Sequence, residues 1–194
     1  MDTAPLTKPL NTGALQKEHP EIYREFFSSC DFVFSAPATF LWAGDVADRF
    51  GGIGCAQKIP RRVYIGLKLN ADPQTQGIHF AEAIIYRQSQ WEKQHITDII
   101  ELVPLLERYI LTCLPHLKGS SIKFLYEFNH GIGLNAAISL GTAFALAIEC
   151  LTGQSSVLTI LKEKPILAGP VKEPEIVRML QQTYQLRCIL SGRV

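Results

Sequence analysis

Residues 121–151 read SIKFLYEFNHGIGLNAAISLGTAFALAIECL, and the punctuation of this stretch decides the fold. From Ser121 on, Ile122, Phe124, Tyr126 and Phe128 alternate with Ser121, Lys123 and Glu127, Leu125 being the exception. A period of two with one polar face marks a half-buried strand of an antiparallel sheet. Glycines at 131 and 133 break the strand. The run of small and apolar residues behind them predicts a helix from about Asn135 to Leu151, closed by Gly153. Gly131 to Ile148 is free of charge, but Asn135, Ser139, Thr142 and three glycines make it too polar for a membrane span.

Working outward, Arg62–Leu69 alternates in the same way, with Val63, Ile65, Leu67 and Leu69 on one face. Ile78–Ile85 reads as a third strand, pairing back onto the second across Asn70–Gly77. Asp31–Ser35 reads as a brief strand that runs into Ala36-Pro37. Pro20 opens a helix carrying Ile22, Tyr23, Phe26 and Phe27 and ending near Ser29. Asp98 with Glu101 has the spacing of a capping box for a helix that ends before Pro115; Pro104 falls in its first turn, or kinks it if Asp98 is the cap. A last helix is expected from about Pro174 to Gln185. Residues 1–19 read as a loose arm and 20–194 as one domain. The fold class is therefore α+β, a mostly antiparallel sheet covered by helices.

Composition bounds the function. The chain has 194 residues, 47% apolar and 19% charged, enough for one domain that buries about 70% of its unfolded surface. Nineteen basic and eighteen acidic residues give a net charge of +1, so no field draws nucleic acid or anionic lipid. The five cysteines never stand in CxxC spacing and the five histidines share no ligand spacing, which argues against a disulfide scaffold and a metal site. The opening MDTAPLTKPLNTG has no basic region followed by an apolar run, so no signal peptide is expected and the protein reads as cytoplasmic.

Two segments carry candidate chemistry. In His130-Gly-Ile-Gly-Leu-Asn-Ala-Ala-Ile-Ser139, backbone N–H groups and a helix dipole converge where glycine lets a phosphate approach the chain. On its own this is also how a tight turn is made, and it is neither a P-loop nor a complete dinucleotide fingerprint. In the second, Ser35-Ala-Pro-Ala-Thr-Phe-Leu-Trp-Ala-Gly-Asp-Val-Ala-Asp-Arg-Phe-Gly-Gly52, Asp45 and Asp48 stand three apart, able to hold hydroxyls or to form a solvated acidic turn.

Together the two segments resemble the GHMP kinase superfamily, which includes galactokinase, homoserine kinase and mevalonate kinase. There, a segment of the type APGRxNLxGEHxDxxGG precedes a PxxxGLGSSAA loop by roughly a hundred residues. Here Ala36-Pro37, Gly44, Asp48, Gly51 and Gly52 fall in register with the first, and Gly133-Leu134 and Ala136-Ala137 with the second. The resemblance implies the N-terminal half of a small-molecule kinase that uses ATP and Mg to phosphorylate a hydroxyl of a sugar or similar metabolite. It assigns Thr39, Asp45 and Asp48 to the acceptor, with Asp48 as the catalytic carboxylate. Gly131, Ile132, Gly133, Leu134, Asn135 and Ser139 are assigned to the nucleotide phosphates. Both loop serines are replaced by Ala136 and Ala137, and the family's C-terminal motifs are absent. The same resemblance therefore admits an inactive binding or regulatory module, or half of a split enzyme completed by a partner chain or a homo-oligomer. An unrelated α+β binding domain is the third reading. No nucleic-acid or membrane partner is expected.

Overall fold

A computed structural model of the chain describes residues 13–43, 55–72, 74–129, 134–153 and 174–192. Two short helices, α1 (Ala14–Glu18) and α2 (Pro20–Ser28), precede the long strands β1 (Phe32–Ala43) and β2 (Cys55–Lys68). Then come β3 (His79–Arg87), β4 (Gln90–Gln94), α3 (Val103–Cys113), β5 (Ser121–Tyr126), α4 (Ala136–Leu151) and α5 (Pro174–Leu190). The sheet order is β1-β2-β5-β3-β4. All neighbours are antiparallel except β3 and β5.

The expected hairpin between the second and third strands does not form, because β5 lies between them. The apolar content of β5 explains its place. Ile122, Phe124 and Tyr126 enter the large core under α3, α4 and α5, while Leu125 enters a second core with Leu15, Tyr23, Phe26 and Tyr64 under α1 and α2. A strand with both faces buried belongs in the middle of a sheet, and the odd Leu125 is the mark of that second face. The sheet is therefore sandwiched, with α1 and α2 on one face and the longer helices on the other.

β1 runs twelve residues and passes through Pro37, where a shorter strand was expected. Proline is tolerated because β1 is an edge strand that needs hydrogen-bond donors on one side only. The register shifts from Pro37↔Arg62 to Thr39↔Lys58, so the strand pair bulges there. The expected arm is helical at residues 14–18, where Leu15 is 1% exposed. α3 starts at Val103 with Pro104 in its first turn, and Asp98 ends a separate 3-10 turn instead of capping it.

α4 is the central helix. Leu140, Phe144 and Ile148, four apart, are all buried, and each such side chain contributes about 1.5–3 kcal/mol. Gly141 lets α5 approach: a Cβ there would stand 3.1 Å from the Thr183 carbonyl. Gly153 closes the helix at φ +77°, a conformation open to glycine.

Candidate functional site

The two chemistry-bearing segments meet at the N-terminus of α4. Asn135, the residue before the helix, has φ 50° and ψ 44°. That left-handed region is one asparagine tolerates better than most side chains. Its side-chain amide lies 3.4 Å from both the carbonyl and the hydroxyl oxygen of Thr39, a residue 96 positions earlier. These are long contacts, but they set one assigned residue of each segment side by side. Leu134 packs, partly buried, against the main core.

Ser139 stands one helical turn further on. It is 2% exposed, and its hydroxyl donates to the Pro37 carbonyl at 2.9 Å. The same hydroxyl lies 3.3 Å from the Asn135 carbonyl. This side chain straps α4 to β1, and its one proton is engaged within the protein.

Asp45, Asp48, Gly131, Ile132 and Gly133 lie outside the described residues, as does His130. Ala43 and Cys55, between which the chain carries the two aspartates, are paired neighbours. Ala43 lies four residues beyond Thr39 on β1, about 13 Å of extended strand. Lys58, exposed, is the cross-strand neighbour of Thr39.

Two buried carboxylates escape the sequence reading. Glu127, expected on the solvent face of its strand, is 2% exposed. It accepts hydrogen bonds from the Tyr23 hydroxyl at 2.6 Å, the Arg62 N–H at 2.7 Å and the Tyr64 hydroxyl at 3.2 Å. Burial, followed by the Glu127 carboxylate, pushes both phenols well above their ordinary range. The signal was Leu125: an apolar residue on the same face two positions earlier says that this face is covered. Glu149 on α4, also 2% exposed, receives two bonds from the Arg178 guanidinium at 2.8 and 2.9 Å. This pair locks α4 to α5.

The described residues give magnesium little to hold. Ala136 and Ala137 carry no ligand atom, the Ser139 hydroxyl is engaged, and no cluster of three or more His, Cys, Asp or Glu is present among the described residues. A cavity of about 450 Å³ opens beside His79, Glu82, Lys93 and His95. It lies at the β3–β4 edge, across the whole sheet from Thr39.

No family model and no curated protein matches the sequence. Among solved structures, the chain is similar to mevalonate kinase from methicillin-resistant Staphylococcus aureus MRSA252, with a TM-score of 0.54 and 10% identity. That match covers 82% of this chain and 45% of the kinase. It is also similar to galactokinase from Lactococcus lactis complexed with galactose (TM-score 0.46, 14% identity, 90% of this chain and 43% of that one). A third likeness is mevalonate diphosphate decarboxylase from Legionella pneumophila (TM-score 0.44, 14% identity, 84% and 47%). All three are GHMP superfamily members, matched over their N-terminal halves. The chain spans less than half the length of each. At 10% identity the mevalonate kinase match establishes the fold: an α+β domain of the kind that forms the N-terminal half of GHMP kinases.

Proposed function

We propose that this chain is a GHMP-type kinase domain that phosphorylates a hydroxyl of a small polar metabolite with ATP. The nucleotide phosphates are assigned to residues 131–135, directly before the N-terminus of α4, whose dipole favours negative charge. Thr39, Asp45 and Asp48 bind the acceptor, and Asp48 accepts the proton of the attacking hydroxyl. Lys58 supplies positive charge beside Thr39. Ser139 serves as the strap that seats the helix, not as a phosphate ligand. Catalysis on this plan rests on positioning and charge neutralisation, and no step is assigned to magnesium. The observation that supports the reading is the Asn135–Thr39 contact, which joins segments 96 residues apart.

A second reading, binding without transfer, is favoured by Ala136 and Ala137 at the loop and by the engaged Ser139 hydroxyl. Calorimetric titration with ATP, with and without magnesium and in the presence of galactose, homoserine or mevalonate, tests the proposal. We expect saturable nucleotide binding that Gly133→Asp abolishes. ADP formation selects the kinase reading, and binding without ADP formation selects the second. A folded chain silent toward every nucleotide overturns both.

A further inference from the structure

In an antiparallel ladder, a hydrogen-bonded pair exchanges two main-chain bonds. Arg62 and Glu127 extend the β2–β5 register by one pair beyond Val63↔Tyr126. The first bond is ordinary: the Glu127 N–H donates to the Arg62 carbonyl at 3.0 Å. In the second, the Arg62 N–H donates to the Glu127 side chain, at 2.7 Å from Oε2. The carboxylate stands in for the residue's own carbonyl, so the ladder is completed one pair beyond the end of β5. The other oxygen, Oε1, is fixed by the Tyr23 and Tyr64 hydroxyls. Arg62 carries the link onward. Its guanidinium donates to the Ser35 hydroxyl at 2.8 and 3.0 Å and to the Ser35 carbonyl at 3.2 Å. Two residues along β1, the Pro37 carbonyl receives Ser139 of α4.

We propose that Glu127 is a positioning residue for the candidate site, a role that rests on the function proposed above. Through Arg62 and Ser35 it holds β1, which carries Thr39, against the start of α4 at Asn135. It touches no ligand. What matters is the reach of its side chain to the Arg62 N–H, an amide acceptor serving as well as a carboxylate.

The test compares Glu127→Asp, which is one methylene shorter, with Glu127→Gln, which keeps the reach. Leu106→Ala, buried on α3 in the main core, serves as a control for general destabilisation. Hydrogen exchange in peptides covering 134–142 and the ATP dissociation constant are measured for each. Glu127→Asp is expected to speed exchange in 134–142 at least tenfold and to weaken ATP binding at least tenfold. Glu127→Gln is expected to stay within threefold of wild type in both, and Leu106→Ala to leave ATP binding within twofold, its exchange in 134–142 rising only in step with its lower Tm. A rise in exchange in Glu127→Asp no larger, for its loss of Tm, than that in Leu106→Ala overturns the proposal, as does a Gln variant as perturbed as the Asp variant. A wild-type chain that binds no nucleotide defeats the proposed function, while the exchange comparison still decides the role of Glu127.

Discussion

Replacing Ser139 with alanine separates two uses of one hydroxyl. The Ser139 N–H already donates to the Asn135 carbonyl at 3.0 Å. What the substitution removes is the 2.9 Å bond to the Pro37 carbonyl. A net intramolecular hydrogen bond is worth about 1 kcal/mol, and stranding a buried acceptor raises the cost toward about 2 kcal/mol. Alanine returns about 0.5 kcal/mol through its better helix propensity. The balance is a destabilisation of about 0.5–1.5 kcal/mol, or roughly 1–6 °C in Tm for a chain of this size. Urea unfolding should report that loss, with ATP affinity by calorimetry weakened only in company with it. A variant of wild-type stability whose ATP affinity falls tenfold, about 1.4 kcal/mol, would refute the strap and place the hydroxyl on the ligand.

Arg178→Met strands the buried Glu149 carboxylate and should cost about 2–3 kcal/mol, less than for a fully enclosed pair because the Arg178 side chain is 42% exposed. The Glu149→Leu/Arg178→Met double variant should lie within about 1 kcal/mol of wild type by urea unfolding; a double as unstable as the single sinks the argument. The β3–β4 hairpin turns on Gln88 and Ser89 at φ 49° and 65°. Asn-Gly in their place should raise stability by about 0.5–1.5 kcal/mol, read as a higher Tm, because those residues enter the left-handed region at less cost. Burial holds the Tyr23, Tyr64 and Tyr126 hydroxyls above their ordinary value near 10, and pushes Tyr109 up to about 12. The folded chain keeps protons there that the unfolded chain releases, so this stabilisation is complete below pH 10 and is lost as pH rises beyond it. The urea midpoint should fall between pH 10 and 12, and Tyr126→Phe should make that fall shallower by about one proton.

What the sequence makes legible is what the chain settles locally. The apolar spacing of Leu140, Phe144 and Ile148 marks α4, and the glycines before Asn135 mark where it begins. Pairing is not local. Nothing in Asn70–Gly77 announces that β2 and β3 will not join, because the decision belongs to β5, which arrives some fifty residues later with two apolar faces. Pro37 reads as a strand breaker until the sheet order makes β1 an edge. The Asp98–Glu101 capping pattern loses to Pro104, which sets the first turn of α3 for itself.

The polar residues divide along the same line. Glu127 meets Tyr23 across 104 residues and Ser139 meets Pro37 across 102, so neither partner can be inferred from neighbours in sequence. Read alone, Glu127 is a solvated carboxylate and Ser139 a spare hydroxyl for phosphate. In the fold both are internal fittings that seat β1, β5 and α4 against one another. The geometry that brings Thr39 to Asn135 is therefore held by contacts within the protein, and a ligand is not needed to assemble it. A domain so built can carry Ala136 and Ala137 at the start of α4 and keep Thr39 beside Asn135. Shape and chemistry then become separate questions. Substitutions at Glu127 and Ser139 address the first. Under the proposed function the second falls to Asp48 and Gly133, where loss of nucleotide binding or turnover without loss of fold is the expected signature.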